Sequence, residues 1–211
     1  MSTARVVWFA ALMLASVHAW AGKIEAHVAT PAGAPAEDVA VVLESVLDAG
    51  IQKHTTAKIE QRDREFMPYV SVVQTGTAIE FPNRDPFKHH VYSFSQAKIF
   101  EIKLYAGKPA QPVVLDKPGE VVLGCNIHDW MEAYILVVNS SYFAKTNSNG
   151  VAHITDVPSG RYRLRYWHPL QKSALPPHEI EIGDVPIRLE QKMNISPRII
   201  KPKPPIDAGT Y

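Results

Sequence analysis

From residue 23 to residue 190 the chain is a succession of strand-length segments, each closed by a turn rich in Pro, Gly or Asn. Residues 23–44 read as two strands around a turn: 24–28 alternate apolar and polar side chains, 31–35 read Pro-Ala-Gly-Ala-Pro, and 39–43 form a short apolar run. Further strands are expected near 56–61, 70–74, 77–81, 89–94, 99–104, 113–116, 120–125 and 134–138. After residue 140 the pattern restarts, with strands expected at 151–154, 162–167, 179–182 and 187–190. Short strands at this spacing are those of a sandwich or barrel, so the expected class is all-β. The 17 Pro and 11 Gly leave little room for long helices. Only residues 38–47 carry a helical pattern. Beyond Ser196 the chain is Pro- and Lys-rich without periodicity, and 196–211 is expected to be an extended or disordered tail.

The first residues read differently. Arg5 is followed by an apolar run over 6–17, too short to span a bilayer, and then by Ala19-Trp20-Ala21. This is the pattern of a secretory signal, here 1–21 with cleavage after Ala21, and it places the protein in the periplasm without stable membrane insertion. Removing it takes away Arg5 and leaves acidic and basic residues in equal number. No charge excess points to nucleic acid.

Export changes the meaning of the single Cys. Outside the cytoplasm a lone thiol tends to oxidise or to pair between chains, so it is either buried as a small hydrophobe or put to use. Its neighbours favour use. Cys125, His128 and Met131 form C-x2-H-x2-M at the end of an expected strand, bringing a thiolate, an imidazole and a thioether into one short loop. His89 and His90 open an earlier strand. Strand alternation turns only one of them inward; His89 is the first choice and His90 the second. A thiolate, two imidazoles and a thioether suit copper in a trigonal His2Cys site with a weak axial Met. Zinc would accept the Cys and His but rarely the Met. The expected metal ligands are therefore His89, Cys125, His128 and Met131, holding one type 1 copper per chain. Trp130, inside the loop, either forms an exposed docking surface or packs over the site, and His128 is expected to edge toward solvent.

These residues carry a resemblance. The loop Cys125–Met131 is similar to that of the cupredoxins, most closely amicyanin, which has the same short C-x2-H-x2-M spacing. Three segments upstream resemble the same family: Phe66-Met67-Pro68 followed by the strand and turn over 70–81, Asn83-Arg84-Asp85 before His89-His90-Val91, and Lys117-Pro118-Gly119-Glu120-Val121 before Cys125. The resemblance assigns the ligand to His89 and sets His90 where the family has Asn. It covers roughly residues 50–138 and extends to secreted proteins labelled methylamine utilisation proteins. Ile127 departs from it, since amicyanin has Pro before the loop His.

The flanks resemble a second family. The run from Thr146 to Leu164, with Gly150, Ile154, Val157-Pro158, Gly160 and Tyr162, is similar to carboxypeptidase regulatory-like domains, which have a transthyretin-like sandwich; residues 24–43 resemble the opening of that domain. The expected organisation is nested, with a cupredoxin domain (50–138) inserted into a smaller sandwich made of 23–48 and 142–190. The alternative is tandem order.

Three functions compete at this point. One is a periplasmic electron carrier, exchanging single electrons with a redox protein partner. A second is a copper carrier that delivers its metal to a copper-accepting protein through an open site. A third is a scaffold with an incidental Cys. No Ser/His/Asp or paired-carboxylate arrangement marks an enzyme.

Overall fold

The computed structural model describes residues 21–45 and 55–203; the expected signal segment up to residue 20 and part of the helical pattern at 38–47 lie outside them. In chain order the strands are β1 (Ala21–Ala29), β2 (Ala40–Ser45), β3 (Thr56–Lys58), β4 (Glu60–Arg62), β5 (Glu65–Met67) and β6 (Val70–Gln74). Next come β7 (Thr77–Glu80), β8 (His89–Ser95), β9 (Lys98–Tyr105), β10 (Val113–Leu115), β11 (Gly119–Gly124) and β12 (Glu132–Val138). The last are β13 (Tyr142–Lys145), β14 (Val151–Pro158), β15 (Gly160–Trp167), β16 (His178–Ile182) and β17 (Ile187–Lys192). No helix occurs among the described residues, and the protein is all-β.

The strands from the two ends of the chain build two sheets of their own, ordered β14-β1-β17 and β13-β2-β15-β16. Between them lies a core of Ile24, Ala26, Val28, Val41, Leu43, Ile154, Leu164 and their neighbours. The middle of the chain builds a five-stranded sheet, β6-β12-β11-β8-β9, and a three-stranded sheet, β10-β7-β3. Phe66, Ile79, Phe81, Val91, Val121, Leu123, Ile135 and Val137 fill a second core with members from both. Parallel pairings of β6 with β12 and of β3 with β7 make this a mixed sandwich.

Residues 40–45 are the strand expected from the apolar run 39–43, not the start of the helix that 38–47 also suggested, and the reason is burial. Val39 to Leu43 are all buried. Val41 and Leu43 point into the first core, while Ala40 and Val42 join Val70, Leu136, Val138 and Trp167 in a third cluster between the two units. A strand covered on both faces needs a continuous apolar run, and such a run has no period with which to announce itself. β12 is divided the same way: Ala133, Ile135 and Val137 face the second core, Leu136 and Val138 the third. The Trp167 indole N–H donates to Glu120 (2.6 Å) across the same junction.

Two other segments depart from the sequence reading. The strand expected at 56–61 divides at Ile59, because β3 runs along β7 while β4 turns back on β5. β13 falls where only a restart was expected. Residues 196–203 carry no regular secondary structure and lie against the second unit through the contacts of Arg198, Lys201 and Lys203.

Candidate metal centre

Two strand ends meet at the same end of the five-stranded sheet. β8 begins at His89, β11 ends at Gly124, and Gly124 pairs with Tyr92 of β8. The Tyr92 ring crosses the strand at Gly124, where an added Cβ would stand 2.6 Å from it. The next residue is Cys125. A backbone bond from the Met131 N–H to the His128 carbonyl (2.9 Å) closes the loop and folds His128 back toward Cys125.

The result is a cluster of three side chains. One ligand atom each from His89, Cys125 and His128 lies within 4.8 Å of the others. The Cys125 Sγ is 3.9 Å from the His89 Nδ1 and 3.9 Å from the His128 Nδ1. These separations are too long for strong hydrogen bonds. They are shorter than two successive metal bonds of about 2.3 Å to sulfur and about 2.0 Å to nitrogen, so one ion can reach the sulfur and either nitrogen. His89 and His128 are fully buried and Cys125 is 2% exposed. Burial holds the His128 imidazole down at about 4, helped by the neighbouring His89 and Arg64, and it lowers His89 as well against the opposing pull of Asp85. Both rings are therefore neutral at pH 7, the form that binds a metal.

Asp85 organises the surroundings. Its Oδ2 lies 2.7 Å from the His89 Nε2, which aims the other ring nitrogen, Nδ1, at Cys125. The same carboxylate accepts the N–H groups of Asp63 (2.7 Å) and Arg64 (2.9 Å). Those two residues form the β4–β5 turn with φ of 53° and 57°, a left-handed pair usually given to Asn-Gly. Burial raises the Asp85 carboxyl, but the Arg64 N–H, the His89 ring and the Asp63 N–H outweigh it and hold the group below the usual carboxylate range. The turn in turn presents the Arg64 carbonyl to the Trp130 indole N–H (3.2 Å). One carboxylate thus connects a strained turn, a candidate ligand and the aromatic cover. Its sequence signal was Asn83-Arg84-Asp85, together with a two-residue turn lacking Gly.

The remaining candidates separate clearly. His90 is buried, but its Nε2 lies 2.9 Å from Glu101 on β9, outside the three-residue cluster. Met131 is 2% exposed and belongs to the same hydrophobic cluster as Cys125. His128 does not edge toward solvent: Phe87 (5.9 Å between ring centroids), Trp130 (5.1 Å) and His89 (4.9 Å) enclose it. Trp130, only partly buried, packs over the site.

No family model matches this chain, and no curated protein matches it. Among solved structures it is similar to a Cu-containing nitrite reductase from Thermus scotoductus SA-01, at 25% identity over 40% of this chain with a TM-score of 0.36. It spans 22% of that enzyme's length. A purple cupredoxin from Nitrosopumilus maritimus is similar at 18% identity, over 38% of this chain and 98% of the cupredoxin, with a TM-score of 0.35. A reduced Cu(I) form of an amicyanin variant is similar at 14% identity, over 46% of this chain and 97% of the amicyanin, also with a TM-score of 0.35.

Proposed function

We propose that the protein is a mononuclear type 1 copper protein that passes single electrons between redox partners in the periplasm. One copper per chain is held by His89, Cys125 and His128, with Met131 as the weak axial donor. The observation that carries this reading is the convergence of one thiolate and two neutral imidazoles in a buried cluster. Soft and borderline donors together accept both Cu(I) and Cu(II), and the bound copper would supply a one-electron couple. The chain's own part is to fix the ligands. Asp85 sets the orientation of His89, the Met131–His128 backbone bond fixes the loop, and Phe87 and Trp130 exclude water.

The same enclosure favours electron transfer over copper delivery. A delivering site must open to release its ion, whereas these donors are 0–2% exposed and covered by aromatic rings. Electrons, unlike ions, cross such a cover. The nested organisation belongs to this reading too: a cupredoxin domain over 50–138 carries the copper, and the sandwich of 23–48 with 142–190 supports it. What supports that division is the pair of separate cores, with the cluster around Trp167 and hydrogen bonds such as Lys145 to the Val70 carbonyl between them. The signal segment 1–21, cut after Ala21, would deliver the chain to the periplasm.

The test is to load the protein with Cu(II) and record visible and electron-paramagnetic spectra. An intense thiolate-to-copper band at one copper per chain, bleached reversibly by reductant, is the expected result. Pale copper that a mild chelator strips at once would replace this reading with copper delivery, and no binding would leave a scaffold.

A further inference from the structure

The segment beyond the last strand is unusual in where it lies. Arg198 stacks its guanidinium over the Tyr69 ring at 3.8 Å and stands 3.9 Å from the Glu65 carboxylate. Lys203 pairs with the other oxygen of Glu65 (2.6 Å) and donates to the Asp63 carbonyl (2.7 Å). Lys201 reaches the carbonyl of Asp129, inside the ligand loop (3.5 Å). Between this segment and the sandwich lies a small cleft lined by Glu65, Trp130 and Glu132. Three cations of the tail are thus set on a collar of acceptors beside Trp130: the Glu65 carboxylate and the backbone carbonyls of Asp63 and Asp129, with the Glu132 carboxylate in the same cleft. The negative charge of the cleft comes from Glu65 and Glu132, with the Arg64 guanidinium set over the Trp130 ring at 5.8 Å.

We infer that the collar around Trp130 is the docking surface for a partner with a basic face, and that residues 198–203 occupy it as an intramolecular competitor. Three observations support this. Trp130 stacks on His128 at 5.1 Å, so the collar lies beside one of the two rings that separate the buried cluster from the surface. The occupant already present is basic and extended, which shows what chemistry the surface accepts. The strap is also held in a releasable way. Ile199 and Ile200 are 84% and 74% exposed, so its apolar side chains contribute no buried anchor. What remains are partly exposed ion pairs, two exposed lysine hydrogen bonds to backbone carbonyls and one cation–π contact, which are individually weak, the ion pairs weakening further with salt. A partner presenting several Lys or Arg side chains offers the same contacts and can displace it. Only the partner's role as electron donor or acceptor rests on the copper reading; the docking itself does not.

The test uses the full chain with Arg198→Ser and Lys203→Ser together, and oxidised mitochondrial cytochrome c as a basic probe protein. A control with Lys172→Ser and Lys192→Ser, on the small sandwich, makes the same change in net charge elsewhere. At low ionic strength the strap variant is expected to bind cytochrome c at least about tenfold more tightly than the parent, the control much less, and the difference to vanish in high salt. Acrylamide, a neutral quencher, is expected to quench tryptophan emission more strongly in the strap variant than in the parent. Unchanged quenching would overturn the strap, and equal tightening in variant and control, or none in either, would overturn the docking surface. Copper is needed for neither measurement, so a colourless protein would refute the type 1 reading separately.

Discussion

The two cores of this protein are built from similar strands and differ in what they bury. Around Ile24, Val41, Leu43, Ile154 and Leu164, the small sandwich buries a few polar side chains, each bonded to backbone: Thr146 to Val39 and Ala36, Ser140 to the Leu43 carbonyl, and His168 to the Leu170 N–H. The core of the larger unit ends in His89, Cys125 and His128, with Gln61 and Tyr105 close behind. Bringing two imidazoles and a thiol within 4.8 Å of one another, at separations too long for strong hydrogen bonds to the sulfur, adds nothing to apolar burial. The first core is explained by folding. The second also brings together three donors that could hold a metal ion.

The largest effect expected is at the sulfur. Cys125→Ser removes the soft donor while keeping the shape, and the intense visible band of the copper-loaded protein is expected to vanish altogether. A band surviving this change would remove Cys125 from the site. In the other core, Leu164→Ala is expected to cost about 2–5 kcal/mol of stability in chemical unfolding while leaving the band in place. Spectral loss without unfolding would show that the cores are not separate in function.

Asp85→Asn comes next. It keeps the side-chain shape but weakens the hold on His89 and on the Asp63–Arg64 turn, and copper affinity measured by competition with a chelator is expected to fall about 10–100-fold. Of the adjacent histidines, His89→Ala is expected to remove the band and His90→Ala to keep it, with the reverse result reassigning the ligand. The smallest change is Met131→Leu, which is expected to retain copper and raise its reduction potential, as measured by voltammetry. Loss of copper there would make Met131 more than a weak axial donor.

Much of this was legible in the sequence, and what was not has physical causes. Turns announce themselves through Pro and Gly, so most strands fall within a residue or two of their expected positions, as at Val70–Gln74. The loop from Cys125 to Met131 is local in sequence, and its spacing drew attention to side chains that the fold brings near His89, 36 residues away. The misreadings involve contacts that sequence does not display. Residues 40–45 read as a strand and also as the start of a helix, because β2 is covered on both faces and so shows no period. Asp85 went unassigned because its three partners come from two segments 20 residues or so apart. His128 was expected at the surface because nothing in the loop itself shows that Phe87 closes over it. The tail read as free because the acceptor of its charges, Glu65, lies far earlier in the chain.

The central claim is that a single copper joins the ends of two strands through one sulfur and two imidazole nitrogens. The most direct test is X-ray absorption at the copper edge of the loaded protein, in both oxidation states. The expected first shell is one short copper–sulfur bond and two copper–nitrogen bonds, little changed between Cu(I) and Cu(II). A first shell of nitrogen and oxygen alone, with no sulfur, would contradict it.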